Sequence, residues 1–303
     1  MPTGALHADH HRAKAVSTQG FRSDLGRGVV VLGMHRSGTS AVTGAIDALG
    51  LPACRTEDRF PVREPNPRGN YESSSLSWFD EELLRELGGR WWSLPLPRLG
   101  WAHTPGIDEW RSEASALFAA AHPSGQWVWK DPRACVLLPF WDLVLGPGVP
   151  RVVVLRNPAE IAASLHARDN MPLEQALALT ERSLRTCLRD SVDRPVFITS
   201  YDDLLASPSA WSERCAEFLR GSGLELPEPL AVDAVAAFLE PSLRHHREPP
   251  RPARADPAAS GLTPLLEWVT ARTGIHGSLS IEGLPDETPS TDRILRSALS
   301  PTR

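Results

Sequence analysis

The chain has 303 residues, 41% of them hydrophobic and 23% charged, with a formal net charge of −5 and a pI near 6.1. This is the composition of an ordinary globular protein, long enough to bury one large core. The acidic balance supplies no general field for nucleic acid or an anionic membrane, so any anion site has to be a local cluster.

No stretch approaches the roughly 18 apolar residues of a membrane span, and Met1 to Arg27 lacks the apolar run of a leader, which gives the expectation of a cytoplasmic protein. Cys54, Cys135, Cys187 and Cys215 are far apart, without the CxxC or Cys/His spacing of a zinc site, and read as reduced, buried thiols. Of 32 basic residues only Lys14 and Lys130 are lysine. A compact ammonium does not substitute for a planar guanidinium at a reacting atom, so Lys130 stands out.

Residues 1–27 are polar and irregular; they read as a disordered tail, although His7, His10 and His11 would be metal ligands if something folded them. From Gly28 the pattern changes. Val29-Val30-Val31-Leu32 is a continuous β-branched run, the mark of a strand buried on both faces. A glycine-rich loop follows, then a helix from Ala41 to Leu49 stopped by Gly50. Ser75 to Leu87 places Leu76, Phe79, Leu83, Leu84 and Leu87 on one helical face, and Thr104-Pro105 opens another helix with Ile107, Trp110, Ala114, Leu117, Phe118 and Ala121 in phase.

Gln126–Trp129, Arg151–Leu155 and Pro195–Thr199 repeat the strand-then-helix grammar, which predicts a parallel sheet. After Leu155, Asn157 suits an N-cap, Pro158 the first helical position and Glu160 the third, the pattern of a capping box. Further helices are expected at Pro172–Arg189 and Pro208–Arg220. The expected organisation is therefore one α/β domain over residues 28–248, a three-layer fold with a central parallel sheet flanked by helices. Residues 249–303 read as an extended Pro-rich linker and a poorly ordered tail, with one short helical candidate near Leu265 to Ala271.

A glycine-rich turn between a buried strand and a helix aims backbone N–H groups at one point, where phosphate or sulfate binds. Gly33 to Ser40 has the spacing of a Walker A loop, but Thr39 stands where its lysine belongs. A metal-dependent kinase or hydrolase uses that lysine on the transferred phosphate. Here the cation is displaced to Arg36. Ligands of open parallel sheets collect at the carboxyl ends of the strands, and two more ends are basic: Lys130-Asp131-Pro132-Arg133 and Arg156.

Arg36-Ser37-Gly38-Thr39-Ser40 resembles the 5′-phosphosulfate loop of the sulfotransferases that use 3′-phosphoadenosine 5′-phosphosulfate. Arg156 with Ser164 on the next helix resembles that family's 3′-phosphate motif, and the resemblance spans roughly Gly28 to Leu205. It implies a P-loop-like α/β fold and sulfuryl transfer to an acceptor hydroxyl or amine, with that nucleotide as donor co-substrate and no metal. It also implies that Lys130 neutralises the leaving oxygen while Asp131 or Arg133 fixes the loop. Thr199-Ser200-Tyr201-Asp202-Asp203-Leu204 resembles the family's segment whose tyrosine lies near the adenine, and packing explains Tyr201 nearly as well. For Arg156, the plainer alternative is a bond to a carboxylate of the next helix.

Glu72 resembles the family's glutamate base, its alternative being a helix-dipole partner at the following helix. His35 and His103 are rival bases. Trp91, Trp92 and Trp101 would line an aromatic or sugar cleft or else pack in the core, and the basic run Leu243 to Arg247 would close over a phosphate or simply face solvent. The partner implied is a small-molecule or carbohydrate acceptor rather than nucleic acid. The competing functions are a nucleotide-dependent kinase and a non-catalytic nucleotide-binding protein.

Overall fold

The computed structural model describes residues 25–61, 70–239 and 257–299. Five strands form one sheet in the order β2-β1-β3-β4-β5: β1 Arg27–Leu32, β2 Gln126–Lys130, β3 Arg151–Leu155, β4 Val196–Ser200 and β5 Gly274–His276. The first four run parallel, with Val29 opposite Val128, Leu32 opposite Val153 and Val153 opposite Ile198. The strand runs are continuously apolar because both faces are covered, and pleating divides each between two cores. Val29, Val31, Val128, Val152, Val154 and Phe197 face one side. Val30, Leu32, Trp127, Trp129, Val153, Leu155 and Ile198 face the other.

The first face is covered by α1 Thr39–Ala48, α8 Tyr201–Ala206, α9 Pro208–Gly221 and α10 Val232–Phe238. The second is covered by α2 Ser74–Glu86, α3 Pro105–Asp108, α4 Trp110–Ala121, α5 Ala134–Leu145, α6 Pro158–Asp169, α7 Leu173–Arg189, α11 Pro257–Thr270 and α12 Pro289–Ser297. The expected three-layer α/β arrangement is therefore the observed one, and β1 to β4, α1, α2, α7 and α9 lie within a residue or two of their predicted bounds, whereas the helix expected from Pro105 to Ala121 is divided into α3 and α4 and the short candidate near Leu265 to Ala271 is the longer α11. All four cysteines are buried and unpaired. Among the described residues no helix is long and apolar enough to cross a membrane.

Three expectations change. Leu25 to Arg27, assigned to the tail, already belong to the fold: Leu25 is buried and its carbonyl accepts a hydrogen bond from Trp127 Nε1 at 2.8 Å. Residues 257–299, read as linker and tail, pack on the second face. β5 pairs antiparallel with β4, placing His276 opposite Val196, so the sheet is not purely parallel. Leu262, Leu265, Trp268, Val269, Leu279 and Leu295 are buried. These anchors are sparse and widely spaced, and much of the attachment is ionic, so hydrophobic periodicity does not reveal it.

Arg182 of α7, fully buried, bonds Glu287, Asp292 and the carbonyl of Leu94, while Glu181 accepts from Thr288 and Thr291. The third change is at α6: Asn157 accepts from the amide of Ala159 as a cap should, but Glu160 turns to Arg156 instead of closing the capping box. The predicted tail of residues 1–24, the Pro249–Arg254 linker and the basic run Leu243 to Arg247 lie outside the described residues.

Candidate functional site

The loop from β1 to α1 lies at the carboxyl edge of the sheet. Gly38 is the N-cap of α1 with φ +93°, and among the described residues no side chain caps this helix end. A Cβ at Gly38 would stand 2.4 Å from the Tyr201 ring, and one at Gly33 (φ +155°) would stand 2.6 Å from Ser37 Oγ. Both positions require glycine for space and for backbone conformation. Ser37 is buried, yet among the described residues its Oγ has no hydrogen-bond partner. A buried hydroxyl without a partner costs free energy that a bound acceptor atom removes. Together with an uncapped helix N-terminus, it marks a cradle that fits a phosphate- or sulfate-type anion.

Arg36 has φ +70°, unusual for a residue with a side chain. It is secured from both sides: Arg36 Nε donates to Ser164 Oγ at 2.7 Å, and Arg156 Nη1 donates to the Arg36 carbonyl at 2.9 Å. The loop and the β3–α6 strand end, separate in sequence, thus interlock through one residue. Burial lowers the Arg36 pKa, with Arg168 and Arg156 adding to the effect. Arg156 also makes the carboxylate bond foreseen as the plainer alternative, to Glu160 at 2.9 Å. Its guanidinium sits 5.1 Å from the Tyr201 ring centroid, and burial raises the Tyr201 pKa while Arg156 opposes the rise. Arg36, Ser37, Gly38, Arg156, Ser164 and Tyr201 are therefore one neighbourhood. Thr39 is buried, its carbonyl accepting from Thr43 Oγ at 2.8 Å.

Lys130, the last residue of β2, is buried; its Nζ bonds Glu72 Oε1 and donates to Ser40 Oγ at 3.1 Å. Ser40 in turn donates to the Asn70 carbonyl at 3.0 Å. Glu72 is buried as well, and Tyr71 before it takes φ +53°. Glu72 is thus a partner of Lys130, and the N-terminus of α2 has its own cap, Ser73 accepting from the Leu76 amide at 3.1 Å. Asp58 gathers that end further, accepting from Ser73, from Ser75 Oγ at 3.0 Å and from Ser74 Oγ at 3.2 Å.

Behind Lys130 the polar network continues. Asp131 accepts from Ser77 Oγ at 2.7 Å, from the Arg133 amide at 2.8 Å and from Arg133 Nη1 at 3.1 Å. Arg133 Nε reaches Glu81 at 3.2 Å. Burial works against the Arg133 charge, but Asp131, Glu72 and Glu81 outweigh it and raise the pKa. Asp80, fully buried beside this cluster and hydrogen-bonded by Trp141 Nε1 at 2.9 Å, is pushed well above the usual carboxylate range by burial and the Asp131 charge.

His35 stands edge-on to Trp91, ring centroids 5.0 Å apart, and its Nε2 is enclosed without a partner. Burial, aided by Arg133, Arg168, Lys130 and Arg36, holds its pKa well below the ordinary histidine value. Trp91 carries Trp92 on one side at 5.8 Å and Arg168 at 5.3 Å, so these two tryptophans adjoin the loop. Trp101 is a core residue, and His103 is exposed. Sequence reasoning missed Ser77, Glu81, Arg168 and the buried Cys135, whose Sγ accepts from the Gly33 amide at 3.2 Å. Ser77, Asp80 and Glu81 carried a signal: polar residues at i, i+3 and i+4 share one helical stripe.

No protein-family model and no curated protein matches the chain. Solved structures resembling it include sulfotransferase STF1 of Mycobacterium tuberculosis H37Rv, at 16% identity over 70% of this chain and 71% of that one, TM-score 0.39. The sulfotransferase domain of the Synechococcus PCC 7002 olefin synthase aligns at 16% identity over 92% and 96%, TM-score 0.43. The sulfotransferase domain of the curacin biosynthetic pathway aligns at 13% over 90% and 97%, TM-score 0.43.

Proposed function

We propose that the chain is a sulfotransferase, moving the sulfuryl group of 3′-phosphoadenosine 5′-phosphosulfate to an acceptor hydroxyl. The observation that carries this reading is the interlock at Arg36. The cradle of Ser37 and the α1 N-terminus adjoins a second basic corner, Arg156 with Ser164, and this adjacency supports a nucleotide ligand with two anionic groups. Arg156 offers the planar fork suited to a phosphate, and Tyr201 beside Gly38 provides a ring face for a base.

In this scheme the acceptor oxygen attacks sulfur in line, the bond from sulfur to the phosphate oxygen breaks, and the acceptor proton goes to Glu72. Lys130 neutralises the negative charge left on the departing oxygen, a stabilisation realised where the charge develops. In the resting site Lys130 and Glu72 hold each other. One movement of the ammonium from the carboxylate to the leaving oxygen therefore serves both roles, freeing the base as the leaving group is neutralised. Thr39 in place of a Walker lysine speaks against the kinase alternative.

The test is thermal stabilisation by adenosine 3′,5′-bisphosphate compared with AMP and ATP. At about 100 times its dissociation constant, the bisphosphate is expected to add about 2.7 kcal/mol. Equal stabilisation by AMP overturns the proposal.

A further inference from the structure

Lys130 and Glu72 come from different elements, one ending β2 and the other preceding α2, so their meeting depends on how α2 lies against the β2–α5 turn. One residue touches both sides of that joint. Asp131 follows Lys130 in the backbone, and its carboxylate holds α2 through Ser77 Oγ at 2.7 Å. It also holds the turn through the Arg133 amide and guanidinium, while Arg133 extends the grip to Glu81, one helical turn beyond Ser77. Asp58 secures only the N-terminal end of α2. Asp131 is 1% exposed, so its carboxylate is committed to this joint.

We propose that Asp131 is a positioning residue: by binding Ser77 and Arg133 it seats α2 so that Lys130 and Glu72 face each other. The sulfuryl-transfer reading supplies what the pair does, whereas the seating stands on the contacts alone. A buried charge cluster suits this task because its partners are geometrically exacting, and removing one member leaves the others uncompensated.

The composition provides the probe. Lys14 and Lys130 are the only lysines, so the chain carrying Lys14→Arg and grown with ¹⁵N-lysine reports a single side-chain ammonium. In that background Asp131→Asn is expected to shift the Lys130 signal and speed its exchange with water at least about tenfold, and Ser77→Ala to act in the same direction by about threefold. Affinity for adenosine 3′,5′-bisphosphate should fall by less than the Lys130 exchange rate rises in both, because Lys130 meets only one oxygen of that nucleotide in the proposed scheme and Arg156, Ser164 and the start of α1 belong to other elements.

An unaltered Lys130 signal in both variants overturns the proposal. So does a bisphosphate affinity that falls in step with the melting temperature, which is the pattern of a general structural role. If Asp131→Asn does not fold, Ser77→Ala is read alone, and an unchanged signal there overturns the idea. Failure of the sulfotransferase reading looks different: the parent protein shows no bisphosphate preference while the lysine signal still responds to Ser77→Ala.

Discussion

Gly38 has nowhere to put a side chain: its backbone is left-handed and the Tyr201 ring occupies the space a Cβ needs. Gly38→Ala is expected to cost about 2–3 kcal/mol of stability, read from the urea midpoint, through backbone strain and displacement of Tyr201. It should weaken bisphosphate binding as well. Arg156 bonds the Arg36 carbonyl and is the proposed ligand of the second anionic group. Arg156→Ala is therefore expected to reduce the preference for the bisphosphate over AMP by at least about tenfold, a difference of about 1.4 kcal/mol measurable by calorimetry. If AMP binding collapsed equally, Arg156 would be a support for the loop and not a phosphate ligand.

Elements differ in how they announce themselves. β1 to β4 are legible because strands covered on both faces are unbroken Val, Ile and Trp runs. The loop was legible because glycine spacing and strand context coincide. Lys130 stands out as one of only two lysines and as the end of a strand, Glu72 through the family resemblance, and the contact between them requires the tertiary path of α2. β5 is three residues long, with none of its side chains buried, and α12 buries only Leu295 and Thr291, so neither leaves a usable hydrophobic pattern. What fixes α12 is Arg182 and Glu181 of α7. Arg182→Ala should cost about 3–5 kcal/mol by stranding Glu287 and Asp292, and limited proteolysis should then cut between α11 and α12 first. An unchanged cleavage pattern would mean that the apolar anchors suffice.

At the scale of the whole molecule, stability is coupled to pH through His122. It is buried, stacked on Phe118 at 4.6 Å, with neither ring nitrogen partnered among the described residues. Burial lowers its pKa to about 3, with Asp58 opposing the fall and Arg59 assisting it. A histidine that is neutral when folded and takes up a proton when unfolded stabilises fully above its ordinary pKa of about 6.5 and loses that contribution as pH falls. Between about pH 6 and 4 it makes stability fall by about 1.4 kcal/mol per pH unit. His122→Phe, keeping the stack, should flatten the stability–pH curve by that slope in urea titrations. Parallel curves for the two proteins would show that His122 is not the linked group.

The antiparallel strand β5 has a consequence during synthesis. Until it docks, the outer edge of β4 presents unpaired N–H and C=O groups to any other strand nearby. The chain from Ser200 to Gly274 leaves the ribosome over several seconds, at about 5–20 residues per second. For that interval the edge of β4 that pairs with β5 in the finished sheet has no strand of its own chain to meet. Closure of the sheet is thus a late, post-loop event, and the same segment that completes the fold shields the newborn chain from its neighbours.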